Sequence, residues 1–315
     1  MALLRFLPEE TNIDFVGVRY FAFAVDGLLL LISIVSIAWQ GFNLGLDFTG
    51  GVQMQVKYTQ AIDIGQVRHT IEKLGFNDAE IQYFGSGQCD KPVNSCALIR
   101  VQPKADQSGN AVEQTIKTAM GHGYSFPDME VIGPKVSGEL FHAGIEATLL
   151  AILCIAVYVA VRFEWQYGIG AAVATGHDVL VTAGLFSIFH MDFTLTSIAA
   201  LLTLAGYSIN DTVVVFDRIR ENRRKYKRMG LAELINLSTN QMLTRTILTS
   251  AATAISIVPM LLYGGPTLFD LTAAILFGIV VGTFSSTYVA AALLLYLPAP
   301  AGTQGGSGGE AAATA

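Results

Sequence analysis

Charge is what this sequence has least of. Only 14% of its 315 residues are Asp, Glu, Lys or Arg, against 52% hydrophobic residues. With a mean hydropathy of +0.50, that scarcity excludes an ordinary soluble domain and points to an integral membrane protein. Cysteine is scarce too. Of the three residues, Cys154 sits in an apolar run and only Cys89 and Cys96 lie close together, so no zinc pattern can be assembled. In an oxidising compartment those two can form a disulfide across a short loop, and two free thiols fit the sequence equally well. A P-loop and a nucleophile elbow are both missing, and the glycines of GIGAAVATG at 168–176 follow no strand, which removes the dinucleotide-binding reading. Nothing suggests a nucleic-acid module, a bound cofactor, a metal set or an enzyme's bond-making machinery.

What is present is a series of six apolar segments, at residues 20–39, 142–161, 168–189, 194–216, 246–263 and 270–297. Each is near the ~20 residues a helix needs to cross a bilayer. Trp39 closes the first at the depth of an interface, and no small-residue cleavage pattern follows, so it reads as an uncleaved signal anchor. Asp26 lies within about two turns of Arg19 and reads as a side chain reaching toward the near interface rather than as a relay.

Residues 40–140 differ in composition, since they lack a long apolar run and hold 19 of the 44 acidic and basic residues. The pattern predicts strands near 52–58, 80–84, 97–101 and 129–132 and helices over 63–74 and 110–120. The first helix lines up Ile64, Val67, Ile71 and Leu74, and the second Val112, Ile116 and Met120. Strand, helix, two strands, helix, strand is the split βαβ, ferredoxin-like arrangement. The expected fold is thus a polytopic α-helical membrane protein with an α+β domain between its first two spans.

The distribution of charge gives an orientation. Seven of the 19 Lys and Arg fall between Arg218 and Arg228, in a basic loop expected over 217–245, while the last eighteen residues contain none. Arg162 and the N-terminal arginines (residues 1–19) share that side, and the short loops at 190–193 and 264–269 carry no Lys or Arg. The positive-inside rule then puts both termini in the cytoplasm and the α+β domain outside, with the bundle at 141–297 and a disordered Gly/Ser/Ala tail at 298–315.

Asp211 lies about six residues, roughly 9 Å of helix, from the basic segment, inside the hydrocarbon. Arg245 enters the next span from the same side, so the two can meet at similar depth. Burial and a nearby guanidinium act in opposite senses on such an acid, and a movement that separates the pair would switch its proton affinity; a fixed ion pair that only orients two helices is the plainer alternative. His177 and Asp178, mid-span, extend a proton path or pack as polar neighbours, but adjacent side chains diverge by about 100° and are not expected to line one narrow path together. Asn210 is a further polar group able to bond across helices.

GFNLGLDFTGG at 41–51, GPKVSGEL at 133–140, VRFEWQ at 161–166, GHDV at 176–179, GYSINDTVVVFDRIREN at 206–222, TRTILTS at 244–250 and YGGP at 263–266 together resemble the SecF family. The resemblance reaches from about residue 15 to 297. It implies a six-span half of an RND-type transporter with a periplasmic domain. The bacterial inner membrane is the implied location, and Asp211 and Arg245 are the implied proton-relay residues. The implied activity is proton-driven assistance to polypeptide export with SecD, beside the SecYEG channel, with YajC and YidC as further partners, in contact with preprotein and membrane lipid. The proton gradient, rather than a cofactor, supplies the energy. No role carries over to Asp26 or to the Cys89/Cys96 pair. An RND-like exporter of lipids or small molecules and a non-conducting scaffold for SecD are the rival readings.

Overall fold

The structure, a computed structural model, describes residues 11–77, 79–83, 94–103, 108–121, 123–264 and 266–298. The chain enters α1 (Arg19–Gln40), then passes a two-residue strand β1 (Asn43–Leu44) and the single turn α2 (Leu46–Thr49). The α+β domain runs β2 (Gly51–Tyr58), α3 (Ile64–Lys73), β3 (Glu80–Tyr83), β4 (Cys96–Val101), α4 (Gly109–Met120) and β5 (Tyr124–Ile132). The rest is helical: α5 (Pro134–Arg162), α6 (Trp165–Ile188), a second two-residue strand β6 (Asp192–Phe193), α7 (Leu195–Lys225), α8 (Leu231–Tyr263) and α9 (Pro266–Phe284). From α9 the chain continues through a π-helical stretch, Ser285–Ala290, into the short α10 (Ala291–Leu293). Among the described residues, six helices are long and apolar enough to cross a membrane.

The sheet order β3-β4-β2-β5, antiparallel throughout, is the ferredoxin-like arrangement. Alternation along β2 sends Val52, Met54 and Val56 inward, where they meet Ala97, Ile99 and Val101 of β4 and the stripes Val67/Ile71 of α3 and Val112/Ile116 of α4. Both helices start on side-chain caps: Asp63 accepts from the Gly65 N–H at 2.8 Å and Ser108 from the Ala111 N–H at 3.3 Å. Cys96 is buried at the start of β4, and Cys89, with which the sequence allows but does not require a disulfide, lies outside the described residues.

In the bundle, α6 and α7 form the interior and α1, α5 and α8 the periphery. The basic loop expected over 217–245 is instead helix on both sides of a five-residue connection, 226–230, since α7 carries the basic residues as far as Lys225 and α8 begins at Leu231. The physical reason is that this stretch keeps a helical stripe. Val215, Phe216, Ile219 and Asn222 are buried against Leu234, Ile235 and Ser238 while the arginines take the other face. The expected tail, apart from Pro298, lies outside the described residues.

The α+β domain is pinned to the bundle. Strand β1 pairs in parallel with β6, Phe42 stacks on Phe193 with ring centroids 4.5 Å apart, and Asp47 accepts from the Leu195 N–H at 2.7 Å. Gly45 is required there, because a Cβ would sit 2.5 Å from Thr194 Cγ2.

Candidate functional site

The apolar run of α7 buries Asp211 to 4% exposure, and one of its oxygens, Oδ2, has no hydrogen-bond partner. Ser250 of α8 and the charge of Arg245 act on the carboxyl. Ser250 also joins two neighbouring helices, accepting from Tyr207 Oη at 3.1 Å and sharing a 2.7 Å hydrogen bond with Thr283 Oγ1. Arg245 sits on α8 one turn before Thr249, is exposed, and makes no ion pair with Asp211 within 4.0 Å among the described residues. It lines an open cavity of about 500 Å³ together with Tyr158, Arg162, Val213, Asp217 and Arg218. The expected pair is therefore neighbours through space rather than a closed salt bridge. A guanidinium gives up strong hydration to enter a dry ion pair, and here the open groove beside α7 leaves it exposed. Asn210, next to Asp211 in sequence, is exposed on the outer face of α7.

A second polar cluster lies deeper in the bundle. His177 of α6 sets Nε2 3.3 Å from Asp26 Oδ2 on α1 and Nδ1 3.1 Å from Oδ1 of its neighbour Asp178. Asp178, fully buried, accepts through Oδ2 from Ser208 Oγ of α7 at 2.5 Å and from Ser285 Oγ of the π-helical stretch at 2.9 Å. Two expectations are corrected here. Asp26 does not reach toward the interface, because it stands seven residues, about 10 Å, beyond Arg19, too far for so short a side chain, and it faces His177 instead. His177 and Asp178 do not diverge past each other either, since the imidazole is long enough to turn Nδ1 back onto the adjacent carboxylate. The signal for this cluster in the sequence was Asp26 itself, an acid inside a span; what the sequence withheld was its partner 151 residues away.

The junction of domain and bundle has its own charged contact. Arg100 of β4 donates to Asp192 Oδ2 at 2.5 Å and to Gln53 Oε1 at 2.6 Å, with Glu80 at 3.8 Å. Burial works against the charge on this guanidinium, but the bond to Asp192 and the carboxylates of Asp192, Glu80 and Asp270 together hold its pKa above the ordinary arginine value. No metal-binding group of three or more His, Cys, Asp or Glu exists among the described residues.

Comparison with known proteins gives this geometry a family. Residues 112–299 match the family described as protein export membrane protein SecD/SecF, C-terminal, and residues 35–62 match the SecD/SecF GG motif, which here forms the end of α1, β1, α2 and β2. The protein translocase subunit SecF of Cereibacter sphaeroides is 43% identical over 302 residues, covering 93% of this chain and 92% of that one. That of Vibrio alginolyticus is 38% identical over 299 residues, covering 94% and 93%. The crystal structure of SecDF, a translocon-associated membrane protein from Thermus thermophilus, superposes with a TM-score of 0.79 at 34% identity, over 92% of this chain and 39% of that longer one. Matched by relatives along nearly its whole length, and carrying both family segments in order, the chain belongs to the SecF family of protein translocase subunits.

Proposed function

We propose that this chain is the SecF half of a SecD–SecF complex that uses the proton gradient to assist polypeptide export, with Asp211 as the proton carrier and Arg245 as the charge that sets its affinity. The observation that carries this reading is a carboxylate buried at membrane depth with one oxygen unpartnered, beside a guanidinium that is close enough to act on it yet stands exposed in an open groove. Such an acid changes proton affinity when the arginine approaches or withdraws. The chain carries out transport rather than bond-making catalysis, and its energy source is the gradient, with no bound cofactor.

Exposed polar groups at the level of the bundle favour a partner chain over lipid on this face. Arg245 and Asn210 both point outward, and polar side chains at that depth are costly against hydrocarbon. SecD is the partner that fits. SecYEG, YajC and YidC complete the proposed assembly, and the α+β domain is the part placed to meet the emerging preprotein. The basic ends of α5 and α7, Arg162 and Arg218 to Lys225, support a cytoplasmic placement of that side, with both termini cytoplasmic and the protein in the bacterial inner membrane.

Asp211→Asn tests the reading in vesicles that contain the whole export complex. Export driven by an imposed proton gradient should fall to the gradient-free level while the complex still assembles. Undiminished export in an assembled complex would make the chain a scaffold for SecD.

A further inference from the structure

The buried group of Asp26, His177 and Asp178 is separate from Asp211. The groups that act on Asp211 are Ser250 and Arg245, whereas those that act on His177 are Asp26 and Asp178. All three members are at least nine-tenths buried, at 4%, 9% and 0% exposure. His177 lies twelve residues into α6, about 18 Å along the helix, near the middle of the span. Besides its own Asp178, the ring faces Asp26 from α1. The hydroxyls that complete the cluster through Asp178 come from Ser208 of α7 and Ser285 of the π-helical stretch, and the Gly282 backbone of α9 packs beside them.

Both ring nitrogens face acceptors. Nε2 has the Asp26 carboxylate at 3.3 Å and the Asp26 carbonyl oxygen at 3.4 Å, and Nδ1 has the Asp178 carboxylate at 3.1 Å. A neutral imidazole offers one N–H and one lone pair. One of these contacts would then set a lone pair against a carboxylate oxygen in a dry interior, where repulsion is scarcely screened. The arrangement therefore calls for one proton more than a neutral ring and two carboxylates supply. Of the two carboxylates, Asp178 already has both oxygens met, by two hydroxyl donors and the ring, whereas Asp26 has Oδ1 unpartnered. The added proton then lies in the contact between Nε2 and Asp26 Oδ2, where the imidazole, ordinarily the more basic of the two groups, takes it.

We propose that Asp26, His177 and Asp178 form a second proton-binding site, contained entirely within this chain, in which the imidazole carries a dissociable proton between two carboxylates and thereby fastens α1 to the core of the bundle. With the proton bound, the three groups sum to one negative charge. Release breaks an N–H bond of the ring, leaves its electron pair on nitrogen and sends H⁺ to water, which raises the cluster to two negative charges and puts a lone pair against a carboxylate. At its far end α1 is held differently. Ser36 and Ser187 hydroxyls bond at 2.8 Å, and Ser33 packs so closely on Gly184 that a Cβ there would lie 2.3 Å from it. Loss of the proton thus removes one hold on the first half of α1, where Arg19 and Phe23 still meet Tyr296, and leaves the far half pinned at Ser33 and Ser36. The site adds to the proton-driven function proposed above and rests on it only for the use made of the proton.

The test is histidine ring ¹⁵N NMR on the full chain in lipid nanodiscs. The chain has five histidines, and the His177 signals are those lost in His177→Gln. At pH 7 both ring nitrogens of His177 should carry protons. Asp26→Asn should convert the ring to one with a bare nitrogen and speed hydrogen exchange in the first turns of α1, and Asp211→Asn should change neither. A bare ring nitrogen in the unmodified chain at pH 7 overturns the site without need of any variant. A doubly protonated ring with unchanged α1 exchange in Asp26→Asn overturns the fastening. Export that survives Asp211→Asn refutes the carrier role of Asp211 and leaves this ring signal as it was, so the two failures are distinct.

Discussion

A Cβ added to Gly51 would stand 2.7 Å from the carbonyl oxygen of Val101, on a backbone held at φ +132°. That φ disfavours every residue with a side chain. Gly51→Ala should therefore cost about 1–3 kcal/mol of domain stability, read as a lower melting temperature of the α+β domain in the full chain; an unchanged melt would show that the strand start can shift to accept the methyl. The same scale explains which site residues the sequence exposed. Asp211 was legible because an acid in a span is anomalous by itself. Arg245 was legible as its neighbour but not as an exposed one, because whether a guanidinium pairs or stays in a groove depends on the side chains of α5 and α7 around it. The role of Asp26 was hidden, since its meaning is fixed by His177, and no local pattern links two residues so far apart in the chain.

Among the elements, the spans and the domain helices could be read from the sequence because bilayer length and a 3.6-residue stripe are local properties. Strands β1 and β6 could not, for two residues have no periodicity and exist only because each finds the other across the chain. The π-helical stretch was equally silent, yet it aims Ser285 at Asp178. The continuation of α7 and α8 past membrane length, where a loop was expected, was decided by tertiary burial of Ile219 and Leu234 and not by their basic neighbours. Helix contact also depends on small residues, and Gly184 is one such case, with a Cβ there 2.3 Å from Ser33. In a Ser36→Cys/Ser187→Cys background the two thiols replace hydroxyls that touch and should oxidise to a disulfide linking α1 to α6. Adding Gly184→Leu should push α1 away and reduce that crosslink severalfold. Equal crosslinking would mean that α1 is positioned from elsewhere.

For the whole molecule, the domain and bundle are coupled through a junction of hydrogen bonds, stacked rings and one partly buried ion pair. Arg100→Met removes the ion pair and a charge-assisted bond worth about 1.5–3 kcal/mol. Hydrogen exchange at Leu44 and Phe193 should rise while the β2–β4 core stays protected; exchange that rises in both would mean the domain itself unfolds. The junction gives any motion of the bundle a route to the domain, which is what a proton-driven aid to export requires. Proton movement during export tests that central claim most directly. In vesicles holding the complete complex and an enclosed pH-sensitive dye, translocation of preprotein should bring a proton flux that disappears with Asp211→Asn while the complex remains assembled. Export at full rate with no such flux, or a flux unchanged by Asp211→Asn, would contradict the account.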